Sequence, residues 1–168
     1  AKDTFDLLDD IEKELGIATC PVNWPIGSGK AFKGVYDRQK QEVELFSDTH
    51  KGTTVGEVKK IEANNPELDW ILGTEAKVTL EEEIELLDGA AAEFDQELVS
   101  KGELSPVFFG SALTNFGVET FLKHFLKMTS SPLPRMSDHG EIDPMKEEDF
   151  SAFVFKIQAN MNKAHRDR

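Results

Sequence analysis

The sequence predicts an α/β fold, and three observations carry that expectation. Pro106-Val107-Phe108-Phe109 forms a short apolar strand that runs through Gly110-Ser111-Ala112-Leu113 into a helix bearing Val118, Phe121, Leu122, Phe125 and Leu126 on one side. Strand, small-residue turn and helix is the α/β grammar in which ligands meet the carboxyl ends of strands. Residues 34–37 and 42–46 alternate like the two strands of a hairpin. Leu80, Ile84, Leu87, Ala91, Phe94 and Leu98 recur at helical spacing, with Glu81, Glu82, Glu85 and Glu93 away from that stripe.

Taken in order, the first helix is expected over 4–15, where Phe5, Leu8, Ile11 and Leu15 fall three or four residues apart. Asp3 or Thr4 can cap its start, and Gly16 suits the left-handed residue that ends a helix. Residues 20–26 must be extended, because Pro21 and Pro25 exclude helix and restrict the residues before them. The hairpin follows. Residues 53–70 are polar, with a short helix expected to end before the Asn64-Asn65-Pro66 break. The long acidic helix is expected from 79 to about 100, opened by the Thr79/Glu82 capping box; Gly89 weakens it by about 1 kcal/mol without ending it. After the strand–turn–helix unit, 130–149 reads as an acidic, proline-bearing linker. From Phe150 onward Phe153, Phe155 and Ile157 alternate as a strand, which cannot bury its own face and so reads as the opening of a second domain.

Composition narrows the function. The 168 residues are 39% hydrophobic and 30% charged, values that suit a soluble globular chain with room for one core. Lys and Arg number 19 against 32 Asp and Glu, a formal net charge of −13. Polyphosphate is repelled by most of such a surface, so direct RNA contact is not expected of it. Apolar runs fall short of the roughly 20 residues that span a bilayer, and Ala1-Lys2-Asp3-Thr4 leads into no apolar signal segment. The single Cys20 has no internal partner, as in a reducing cytoplasmic setting.

Several candidate sites fail on spacing. Gly27-Ser28-Gly29-Lys30 resembles a phosphate loop, but that motif needs a glycine where Trp24 stands and a Ser or Thr where Ala31 stands. His50, His124, His139 and His165 are scattered, and the acidic residues of 138–149 lack the glycine and terminal glutamate of a calcium loop. No metal site and no catalytic residue is expected in this chain. Gly110-Ser111-Ala112-Leu113 is different, because small residues after a buried strand let backbone amides approach a planar ligand. A plain strand–helix turn explains the same residues equally.

Separated stretches share one resemblance. Phe5-Asp6-Leu7-Leu8-Asp9-Asp10-Ile11-Glu12, Trp24-Pro25-Ile26-Gly27, Phe32-Lys33-Gly34-Val35-Tyr36-Asp37, Ser105 through Leu113, Asn115-Phe116-Gly117-Val118 and Phe153 through Met161 resemble, in order, the peptide chain release factor 3 family of translational GTPases. Elongation factor G is a close structural relative of that family. The resemblance implies the C-terminal part of a P-loop-type G domain over 1–129, with an inserted α/β subdomain at about 20–104. It further implies a linker over 130–149 and the first strand of a β-barrel domain over 150–168. It implies that Ser111, Ala112 and Leu113 form the guanine-base turn, with the Ala112 amide facing O6. The phosphate loop, both switch regions and the Asn-Lys-x-Asp motif precede the matched region in the family and are absent from these residues. GTP or GDP and Mg2+ are therefore expected of the parent, and none bound tightly to this stretch alone. The expected parent is cytoplasmic. Its expected partners are the ribosome and codon-reading release factors, with no membrane. The alternatives are an elongation factor G-like translocation GTPase and a non-enzymatic acidic interaction module.

Overall fold

A computed structural model describes residues 2–46, 58–111 and 116–157. Helix α1 spans Thr4–Leu15, as its spacing predicts. The Asp3 carboxylate accepts from the amides of Phe5 at 2.9 Å and Asp6 at 3.4 Å, satisfying donors that a helix start leaves orphaned. Gly16, at φ 68°, closes the other end by donating to the Glu12 carbonyl. Strand β1 (Ala18–Pro21) then pairs in parallel with β6 (Leu104–Val107), Ala18 opposite Leu104 and Pro21 opposite Val107.

Between these two partners lies an antiparallel sheet in the order β2-β3-β4-β5: Asn23–Ile26, Gly34–Asp37, Glu42–Phe46 and Val58–Glu62. The predicted hairpin is the β3–β4 pair, Gly34 opposite Leu45 and Asp37 opposite Glu42. Gly34 is required there, since a Cβ would stand 2.2 Å from the Glu44 carbonyl oxygen. Helices α2 (Glu67–Leu72) and α3 (Thr74–Ala90) supply Leu68, Leu72, Leu80 and Leu87 to a core shared with Trp24, Val43 and Ile61. The Trp24 indole donates to Glu83 at 3.0 Å, so the largest core side chain is also satisfied.

Three sequence expectations are corrected. The short helix before Asn64 is instead strand β5, because the open edge of β4 offers backbone partners to a segment of weak helical periodicity. Helix α2 follows the break rather than preceding it, with the Asn65 side chain accepting from the Glu67 amide. The long acidic helix begins at Thr74, so Thr79 and Glu82 lie inside it, and it stops at Ala90. The apolar stripe continues across that stop. The Asp95 carboxylate, however, takes the amides of Glu97 and Leu98 and starts a separate helix, α4 (Gln96–Lys101). Helix α5 covers Val118–Met128.

Residues 130–168 form a compact unit separate from Ala1–Thr129. The stretch read as linker contains a small hairpin, β7 (Arg135–Ser137) with β8 (Gly140–Ile142). Residues 151–157 adopt no strand, and Phe150, Phe153 and Phe155 are exposed. A strand needs a hydrogen-bonding neighbour, and none of the described strands pairs with this segment. The matched residues Asn160 and Met161 and the basic stretch 165–168 lie outside the described residues.

Candidate functional site

The strand–turn–helix unit identified in the sequence runs from β6 through 108–117 into α5. Of the three site residues, Ser111 is described; Ala112 and Leu113 lie outside the described residues. The neck of the loop is tightly defined. The Ser111 amide donates to the Phe116 carbonyl at 3.0 Å, forming an isolated antiparallel bridge. Gly117 has φ 72°, and a Cβ there would sit 3.0 Å from the Phe109 carbonyl oxygen. Only glycine combines that left-handed conformation with so close a backbone crossing.

Two side-chain systems hold this neck. Asn23, buried at the start of β2, accepts from the Phe109 amide at 2.6 Å and donates to the Phe109 carbonyl at 3.0 Å. Its amide thus replaces a missing sheet neighbour beyond the end of β6. On the far side Phe116 stacks on Phe32 at 4.3 Å and packs against Phe46 at 5.5 Å. A cleft of about 330 Å³ opens beside the neck, lined by Pro106, Phe108, Gly110, Ser111, Val118 and Phe121. Its apolar walls and backbone edges suit a flat, partly polar ligand.

Helix α5 turns an unexpected face inward. Phe121, Leu122, Phe125 and Leu126 are exposed in the described structure, whereas Thr120 and His124 are buried. The Thr120 hydroxyl donates to the Glu44 carboxylate at 2.8 Å, and His124 Nε2 lies 3.4 Å from Asp37 Oδ2. Glu44 and Asp37 are each about 1% exposed. Each has a lysine at 2.7 Å: Lys60 on Glu44 and Lys40 on Asp37. Burial pushes the Asp37 carboxyl upward. Hydrogen bonds from the Lys40 side chain and amide, with the charges of Lys40 and His124, outweigh that and hold it below the usual range. Asn23, Asp37, Glu44, Thr120 and His124 escaped the sequence reading. Polar residues on helices and strand ends read as solvated, and the only available signal was Thr120 and His124 one helical turn apart.

The Gly27–Lys30 segment is folded into tight backbone turns. Ala31 donates to the Ser28 carbonyl, Phe32 to Gly29 and Lys33 to Ile26. Cys20 is buried, and burial pushes its thiol pKa up. Among the described residues no group of three or more His, Cys, Asp and Glu is placed to hold a metal ion. No helix among them is long and apolar enough to cross a membrane.

No family model matches the chain. A solved crystal structure of a protein from Thermus thermophilus covers 84% of this chain and 24% of that one, at 20% identity and a TM-score of 0.49. Curated relatives are far more similar. A protein named peptide chain release factor 3 from Symbiobacterium thermophilum is 53% identical over 167 residues, 99% of this chain. Proteins of the same name from Trichormus variabilis and a Cyanothece species are each 47% identical over the same extent. The chain spans 31% of the length of each of these relatives. Over 99% of its length, then, the chain is similar to proteins named peptide chain release factor 3.

Proposed function

We propose that this chain is part of a ribosome-associated GTPase that promotes removal of codon-reading release factors after peptide release. The observation that carries the reading is the 47–53% identity, over 99% of the chain, to proteins named peptide chain release factor 3. In this reading 1–129 is the C-terminal part of the GTP-binding domain, with the inserted subdomain at about 20–104. Residues 130–149 connect it to a β-barrel domain that begins at 150. The parent acts in the cytoplasm on the ribosome.

Ser111, Ala112 and Leu113 are proposed to contact the guanine base, with the Ala112 amide donating to O6. The position of Ser111 at the carboxyl end of β6, beside an apolar cleft, supports this role. GTP is the substrate. Its phosphates and Mg2+ would be held by a phosphate loop and switch regions that these 168 residues do not include. Catalysis of phosphoryl transfer rests on positioning and on electrostatic stabilisation by those parts. The chain by itself is accordingly proposed to bind guanine nucleotide weakly and to hydrolyse none.

The decisive experiment uses the complete parent and ribosomes already carrying a codon-reading release factor. Release of that factor, followed with and without GTP, should be faster with GTP. GTP hydrolysis without faster release would overturn the reading in favour of a translocation GTPase.

A further inference from the structure

The buried polar face of α5 follows a regular pattern against the sheet. Thr120 and His124 stand one turn apart on α5, a rise of about 6 Å, and Phe116 lies just ahead of the helix, before its Gly117 cap. Their partners Phe46 and Glu44 are two residues apart on β4, a step of about 6.8 Å on an antiparallel strand. The third partner, Asp37, stands on β3 in register with Glu42, one further step along. The two rises nearly match, so the Thr120 and His124 contacts close together, and Phe116 against Phe46 continues the row. The helix is held along the sheet with one fixed axial register.

Apolar contacts are non-directional and would tolerate sliding. A hydroxyl donated to a buried carboxylate does not. Glu44 and Asp37 each keep a lysine as counter-charge, so neither depends on α5 for neutralisation. What α5 gains is position.

We propose that Glu44 and Asp37 are positioning residues for the nucleotide base. They set α5 along its axis through Thr120 and His124. The helix and Phe116 in turn set the downstream end of the loop that carries Ser111, Ala112 and Leu113. The sheet β2–β5 and the base-contacting turn then move as one, and nucleotide occupancy is coupled to any partner that pulls on the sheet. This rests on the guanine-turn reading.

The test uses the complete parent, with fluorescent GDP and a fluorescent 2-aminopurine riboside diphosphate, whose base lacks O6. Wild type should release the analogue faster. Thr120→Val should release GDP roughly tenfold faster, the loss of one buried hydrogen bond to a charged group, and Glu44→Gln, which keeps an acceptor without the charge, should accelerate it less. Release of the analogue should stay unchanged, so that discrimination shrinks. Thr120→Ser restores the hydroxyl and should restore GDP release. Glu119→Gln, on the exposed side of α5, should stay at wild type. Should Thr120→Val fail to fold, His124→Leu, which leaves Asp37 no donor on α5, supplies the same readout. Folded variants releasing both nucleotides at wild-type rates would overturn the proposal. Equal acceleration of both nucleotides would do the same, since it marks loosening without effect on the base contact. A wild-type parent that does not distinguish the two would instead overturn the guanine-turn reading.

Discussion

In the antiparallel sheet β2–β5, Trp24 and Val43 are wholly shielded from solvent, and α2 and α3 close over them. In the parallel pair β1–β6, by contrast, Thr19, Cys20 and Pro21 of β1 are buried but Leu104 is the one buried residue of β6, and α5 leaves four large apolar side chains exposed. Parallel strands ordinarily lie in sheets covered on both faces. The same chain thus contains one self-sufficient core and one open-sided pair, and the candidate site sits at the end of the latter. Stability should reside in the sheet, while the geometry of the site depends on what the sheet lends it.

Four substitutions test that division, beginning with the largest expected effect. Trp24→Ala removes the central core side chain and the Glu83 hydrogen bond. About 3–5 kcal/mol of unfolding free energy should be lost in urea titration of this chain. A loss under about 1 kcal/mol would mean the sheet is not the stabilising half. Asn23→Ala should cost less, about 1–3 kcal/mol by the same measurement, because it strands the Phe109 amide and carbonyl without emptying a core. If Asn23 is instead neutral, the parallel pair holds itself.

The smallest effect is a difference in sign between two acids, read from urea midpoints across the acid range. Burial raises the Glu83 carboxyl above its ordinary 4.5, against the Trp24 hydrogen bond. The fold therefore favours protonated Glu83, and stability falls as pH rises from that ordinary value through the raised one. Glu83→Gln should remove that fall. Asp37 is held below its ordinary 3.8. Its contribution is present above that value and is lost as pH drops through the depressed one, so Asp37→Asn should destabilise at neutral pH and flatten the acid limb.

Local elements were legible in the sequence and tertiary ones were not. Helix α1 and the strands β3 and β4 follow from periodicity within a dozen residues. Strand β5 does not, because it exists by pairing with β4. The break at Ala90 was hidden by an apolar stripe that continues past it, while the signal that mattered was the capping carboxylate of Asp95. Within the site, the small residues after β6 drew attention to Ser111. Asn23, Thr120 and His124 could not be read, since a polar side chain shows its buried partner only once residues 76 to 87 positions apart, 86 for Asn23 and Phe109, have come together.

That separation has a kinetic consequence. Closing an unstructured loop of this length costs about 4 kcal/mol of chain entropy, before any contact offsets it. The hairpin β3–β4 closes over a handful of residues and faces no such barrier. Once the antiparallel sheet has formed, Asn23 and the Phe109 neighbourhood are separated by a folded body rather than by a free chain. Much of that entropy has then already been lost. Topology thus favours an order of assembly in which the sheet forms first and the parallel pair, with the loop it carries, is set last.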